Sequence, residues 1–223
     1  MTRPISKDFP LVLASASPRR KQLLRQIGIP FRTVTNHVRE DALSRDPLMN
    51  ARLLAEAKAH AVIEKCEGRW ILGADTIVAL GRTDLGKPAD EDEAFSMLRQ
   101  LSGREHRVIT GFCLVAPDPK KPYSEAVVTR VTFKALTKRE TLGYIATGEP
   151  FGKAGSYGIQ GIGAFLVKRI SGSYTNVVGL PLCALVTALL ATGAIKKFPI
   201  PSRPSFPVGG GSRKGSLLLP QKG

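Results

Sequence analysis

The stretch Leu11-Val12-Leu13-Ala14-Ser15-Ala16-Ser17-Pro18-Arg19-Arg20 is an apolar run that breaks through small residues into a proline-started segment with two arginines. Ser17 suits the N-cap of a helix and Pro18 its first position, so the run reads as strand, turn and helix, the opening of an α/β unit. A helix N-terminus presents amide N–H groups without intrahelical partners and a partial positive charge. A phosphate fits there, and the planar guanidinium groups of Arg19 and Arg20 can grip its oxygens in pairs. A capped surface helix with solvated arginines is the alternative this segment leaves open.

Outward from that run, the pattern predicts a helix over Pro18 to Ile27, a strand over Phe31 to Thr35 and a long helix over Leu48 to Lys65. Trp70 to Ala74 reads as a short buried strand, and Thr76 to Leu80 as a second extended piece beyond Asp75. Asp90 can cap a helix whose first turn carries Glu91, Asp92 and Glu93 and which ends at Ser102-Gly103. Arg107 to Ala116 and Ala126 to Phe133 alternate as strands around the turn Pro117 to Pro122, an antiparallel hairpin. Thr137-Lys138-Arg139-Glu140 is a capping box for a helix to about Thr147. A glycine-dense loop from Gly148 to Gly163, a strand from Phe165 to Ile170 and an apolar helix from Leu180 to Ala191 complete the pattern. Alternation that gives way to a hairpin predicts an α/β fold, a mixed twisted sheet flanked by helices.

The chain has 223 residues and a net charge of +15, from 33 Lys and Arg against 18 Asp and Glu. That balance favours anionic ligands. Six of the basic residues follow Ile195 with no acid among them, in a stretch rich in Pro, Gly and Ser. The reading therefore divides the chain into a domain over residues 1–195 and a basic, disordered tail over 196–223. The three cysteines, Cys66, Cys113 and Cys183, have no paired spacing, so neither a disulfide framework nor a zinc site is expected. Met1 to Pro10 is polar and no apolar run reaches membrane-spanning length, so a cytoplasmic location without membrane association is expected.

Three further segments carry chemistry. In Ile71-Leu72-Gly73-Ala74-Asp75-Thr76 an acid follows a buried strand, where a carboxylate can hold a divalent cation or activate water. A turn aspartate satisfied by backbone N–H groups is the alternative. Leu85-Gly86-Lys87-Pro88 presents an ammonium from a restrained loop, able to neutralise phosphate. In Gly152 to Gly161, glycines let backbone approach a ligand, Lys153 can meet phosphate, and Gln160 offers donor and acceptor to a base edge. This loop is neither a Walker A sequence nor a dinucleotide fingerprint, and no G-x-S-x-G elbow or histidine metal spacing is present.

Taken in order, ASASPRR (Ala14 to Arg20), LGADT (Leu72 to Thr76), LGKP (Leu85 to Pro88), LSG (Leu101 to Gly103), KAGSYGIQG (Lys153 to Gly161) and GSYTNVVGLPL (Gly172 to Leu182) resemble the Maf family of nucleoside triphosphate pyrophosphatases. The resemblance runs from about Leu11 to Leu190. It implies an inosine triphosphatase-like fold with a cleft between two lobes, and hydrolysis of a nucleoside triphosphate to monophosphate and pyrophosphate with a divalent cation, Mg2+ or Mn2+. A house-cleaning role against non-standard nucleotides and a homodimer are implied with it. By the same likeness Asp75 is the catalytic acid and a metal ligand, Glu40 a second metal ligand, and Ser15, Arg20, Lys58, Lys87 and Lys153 handle substrate and phosphate. Arg19, Thr76 and Gln160 match the dTTP/UTP branch, where the 7-methyl-GTP branch tends to have Trp, Gln and Glu. Arg39 and Gly152 depart from acids frequent in the family, and bear on metal affinity and on the glycine-rich loop. Two rival functions stand beside this one: the 7-methyl-GTP activity, and a non-enzymatic nucleotide- or nucleic-acid-binding regulator of division that uses the basic tail.

Overall fold

Leu11, Val12 and Leu13 are all fully buried because their strand, β1 (Leu11–Leu13), runs inside a sheet covered on both faces. The structure, a computed structural model, describes residues 3–39, 44–66, 68–118 and 122–199. Seven strands form one mixed sheet: β1, β2 (Phe31–Thr33), β3 (Ile71–Leu80), β4 (Thr83–Leu85), β5 (Glu105–Val115), β6 (Tyr123–Phe133) and β7 (Val167–Ser171). Their order is β2-β1-β3-β5-β6-β7, with β4 on the free flank of β3. The first three neighbours pair in parallel and the others antiparallel.

One face carries α2 (Pro47–His60), whose Ala51, Leu54, Ala55 and Ala59 pack on the sheet. Two glycines set how closely. A Cβ on Gly73 would lie 2.2 Å from the Ala55 carbonyl oxygen, and one on Gly111 2.2 Å from that of Ala51. The helix backbone therefore rests directly on β3 and β5.

The other face carries two separate apolar clusters. One lies under α1 (Pro18–Gln26) and α6 (Leu182–Ala191), and takes Leu72 and Ala74 from β3. The second lies under α3 (Glu91–Leu101) and α4 (Lys138–Ile145), and takes Val78. Between them along β3 stands Thr76, the divide between two lobes.

Local signals hold closely. Ser17 caps α1 by accepting the Arg20 amide, Asp90 caps α3 by accepting from Glu93 at 2.8 Å, and both halves of the Thr137–Glu140 capping box form. Differences are those that tertiary packing decides. β3 runs unbroken through Asp75 because β5 pairs with it from Ile71 to Ala79. The helix expected to Lys65 ends at His60, and the chain turns so that Val62 and Cys66 both bury against Ile71 and Val115. The strand from Phe31 stops at Thr33, and the last helix starts at Leu182, after a separate short helix α5 (Tyr174–Val178). β6 starts at Tyr123, three residues earlier than expected. The hairpin turn falls partly, and the tail from residue 200 entirely, outside the described residues. No helix among the described residues is long and apolar enough to cross a membrane.

Candidate active site

The cleft arises from a gap in the pairing of β3. β1 pairs with it at Ile71 and Leu72 and β4 at Val78 to Leu80, so among the described residues positions 73–77 have a strand neighbour on the β5 side alone. β1 and β3 are parallel, and the gap opens at their carboxyl ends, where open α/β sheets gather ligands. Successive residues of a strand point to opposite faces. Asp75 therefore faces α2, and Thr76 faces α1 and α5.

On the α2 side, Asp75 Oδ1 accepts a hydrogen bond from Lys58 Nζ at 2.5 Å, with the two residues 7% and 5% exposed. Lys58 reaches Asp75 because Gly73, two residues earlier on the same face, lets α2 settle onto the strand. A buried ammonium beside a buried carboxylate compensates a charge that would otherwise be costly to hold there.

On the opposite side, Arg20 is 8% exposed and its guanidinium is fixed at three points. Nε donates to the Gly179 carbonyl at 2.8 Å, one terminal nitrogen to Ser15 Oγ at 3.2 Å and the other to Thr76 Oγ1 at 3.0 Å. This sharpens the helix-terminus reading. Pro18 has no N–H and the Arg20 amide is taken by the Ser17 cap, so of the first three helical positions only Arg19 keeps its amide for a ligand. Arg20 acts from inside the structure, not from beside free N–H groups.

Ser15, Arg19, Arg20, Lys58, Asp75, Thr76, Lys87, Lys153 and Gln160 all line one cleft of about 400 Å³. Lys87 and Gln160 stand exposed at its rim. Glu40, the expected second metal ligand, lies outside the described residues. Burial lowers the Arg19 pKa, and burial followed by the positive charge of Arg19 lowers that of Lys153. The two cations thus share a poorly solvated space, a repulsion that a bound polyanion would relieve.

Several residues of the site carry no motif signal. Asn36 lines the cleft and donates from Nδ2 to the Ala14 carbonyl at 2.7 Å, closing the turn after β1. Glu149 shapes the glycine-rich loop: its carboxylate accepts from the amides of Ile162 at 2.8 Å and Gly163 at 3.0 Å and from the Tyr144 hydroxyl at 3.0 Å. Its backbone carbonyl accepts from Lys153 Nζ. Burial would raise the Glu149 pKa, but those donors outweigh it and hold the group below its ordinary value. The tightness of this fold around one carboxylate explains Gly161, where a Cβ would meet Glu149 Oε2 at 2.3 Å.

The chain matches the model of the Maf-like protein family over residues 10–192. The dTTP/UTP pyrophosphatase of Syntrophotalea carbinolica is 50% identical to it over 198 residues, covering 87% of this chain and 90% of that protein. Its counterpart from Citrifermentans bemidjiense is 50% identical over 190 residues, 85% of this chain and 98% of that one. The dTTP/UTP pyrophosphatase of Nitratidesulfovibrio vulgaris is 47% identical over 196 residues, with 87% and 93% covered. Among solved structures, the Staphylococcus aureus Ham1 protein aligns with a TM-score of 0.39 and 14% identity over 56% of this chain and 71% of that one. That score is too low to carry the fold, which rests on the sheet order itself.

Proposed function

The chain belongs to the Maf-like protein family, and we propose that it is a nucleoside triphosphate pyrophosphatase that hydrolyses dTTP and UTP to the monophosphate and pyrophosphate. The observation that carries this reading is convergence: a buried carboxylate, Asp75, and the cations Arg19, Arg20, Lys87 and Lys153 open into one cleft. Phosphoryl-type transfer asks a protein chiefly for positioning and charge neutralisation.

Lys58 holds Asp75 Oδ1, which leaves Oδ2 to take the proton of an attacking water. The water oxygen bonds to the α-phosphorus as the bond to the α–β bridging oxygen breaks, and its electron pair leaves with pyrophosphate. Arg20, locked by Ser15, Thr76 and Gly179, grips the phosphate oxygens of bound substrate and of the transition state alike without having to reorganise. Lys87 from the rim, and Lys153 from the poorly solvated space that it shares with Arg19, neutralise the outer phosphates. Arg19, Thr76 and Gln160 select the base, the Gln160 amide offering a donor and an acceptor to the neutral edge of uracil or thymine.

The donor set also fits Mg2+ or Mn2+. Among the described residues no cluster of three or more His, Cys, Asp or Glu could enclose a metal by itself. A single carboxylate in a phosphate site is the donor set Mg2+ takes, sharing its shell with substrate oxygens and water. Asp75, and Glu40 with it, would hold the cation, which supplies further neutralisation of the triphosphate when bound.

Pyrophosphate release from dTTP, UTP and 7-methyl-GTP with Mg2+ or Mn2+ tests the reading. dTTP and UTP are expected to turn over and 7-methyl-GTP to lag. Asp75→Asn is expected to abolish release from dTTP while the thermal unfolding transition survives; undiminished turnover in that variant overturns the assignment.

A further inference from the structure

Behind the phosphate side of the cleft a run of hydrogen bonds leads into the interior. Arg20 donates to Thr76 Oγ1, Thr76 Oγ1 lies 3.0 Å from Thr110 Oγ1, and Thr110 Oγ1 donates to the Asn176 backbone carbonyl at 2.9 Å. Thr110 and Asn176 are fully buried, and neither lines the cleft. The direction of each bond follows from counting hydrogens. A carbonyl oxygen only accepts and a threonine hydroxyl has one hydrogen, so the hydrogen of Thr110 is spent on Asn176. Thr76 must then donate to Thr110. Its hydrogen points into the protein, one lone pair receives Arg20, and Thr76 can offer the cleft an acceptor but no donor.

The far end of this run is rigid. Asn176 Nδ2 donates to the Val108 carbonyl and to Thr129 Oγ1, both at 3.0 Å, and its amide is capped by Ser173 Oγ at 3.2 Å. The same short helix delivers, three residues on, the Gly179 carbonyl that receives Arg20 Nε. We propose that Thr110 is a positioning residue: by committing the Thr76 hydroxyl as an acceptor, it fixes the orientation in which Arg20 meets phosphate. The proposal rests on the reading of the cleft as a triphosphate site.

Three variants isolate the hydroxyl. Thr110→Val and Thr110→Ala remove it with and without the branched volume, and Thr110→Ser keeps it. In steady-state pyrophosphate release from dTTP, both hydroxyl-free variants are expected to raise KM roughly tenfold, the loss of about one hydrogen bond to a charged group, with kcat changed less than about threefold. Thr110→Ser is expected to restore the KM. A direct readout uses no substrate: solvent exchange of the Arg20 Nε–H in NMR spectra, with the signal assigned by its absence in Arg20→Lys. Exchange is expected to quicken in Thr110→Val and Thr110→Ala and not in Thr110→Ser.

Unchanged KM and exchange in whichever hydroxyl-free variant folds overturns the proposal, as does Thr110→Ser being as impaired as Thr110→Ala. Absence of pyrophosphate release by the wild-type protein strikes the proposed function instead, and the exchange comparison then decides the role of Thr110 by itself.

Discussion

Replacing Gly73 by alanine should damage the site through the helix that covers it. The new Cβ would lie 2.2 Å from the Ala55 carbonyl oxygen, 2.7 Å from the Ala59 nitrogen and 2.9 Å from the Ala59 Cβ. Carbon and a carbonyl oxygen touch at about 3.3 Å, so α2 must lift by about 1 Å. The obstruction is backbone, not the flexible end of a side chain, which places the cost near the upper end of overpacking, about 3 kcal/mol. For a chain of this size that is a fall of roughly 10 °C in Tm. Lys58 rides on the lifted segment, and its 2.5 Å contact with Asp75 would lengthen with it. A misplacement of about 1 Å in a catalytic constellation costs on the order of 100-fold in turnover. Thermal unfolding and pyrophosphate release from dTTP, measured on the same preparation, read the two effects. Gly143→Ala in α4, where a Cβ meets nothing within 4 Å, is the control and should stabilise by about 0.5–1 kcal/mol without touching activity. Gly73→Ala with wild-type Tm and turnover would refute the idea that this glycine sets the height of α2.

Two further outcomes follow from burial. Burial lowers the pKa of His106 from 6.5 to about 4, so between those values the unfolded chain binds the extra proton. Stability should therefore decline as pH drops through that window, by about 3 kcal/mol once pH reaches 4, and His106→Gln should flatten the pH dependence of urea unfolding; equal slopes in both proteins would contradict this. Cys183 is exposed while Cys66 and Cys113 are buried, and burial pushes the Cys113 thiol up to about 12. Native protein should take one equivalent of iodoacetamide and denatured protein three, whereas three in the native state would show that the core is open.

What the sequence made legible was what depends on near neighbours. The Ser17, Asp90 and Thr137 caps each span three residues, and a bond of that reach is written in the residue types themselves. Asp75 stood out because an acid after an apolar strand needs a reason, and the structure supplies it in Lys58, 17 residues away. Thr110 gave no such signal, since a threonine in a strand is ordinary, and Asn176 stood within the Gly172 to Leu182 motif with nothing local to mark its partners. Their roles come from bonds across 34 and 66 positions of sequence, which no local pattern encodes. Glu149 escaped for a related reason: two of its partners are backbone amides, which every residue but proline has, 13 and 14 positions away. The continuity of β3 through Asp75 was hidden because an acid reads as a strand end, whereas pairing with β5 keeps it extended.

The order Asp75-Thr76 gains its meaning from that continuity. Had β3 ended at Ala74, the two residues would have sat in a turn with no fixed relation between their side chains. In an extended strand they must point to opposite faces, so one peptide unit delivers the carboxylate to Lys58 and the hydroxyl to Arg20. A slip of one residue would exchange the two, and each face resists it separately. Gly73 is the residue over which α2 fits on one face, and Ala74 and Val78 fill the two apolar clusters on the other. The packing that fixes the register of the strand is therefore the same packing that keeps the proton acceptor apart from the phosphate clamp. A substitution that lets β3 slip would therefore cost the fold together with the activity, because any residue moved into the place of Gly73 brings a Cβ against the Ala55 carbonyl.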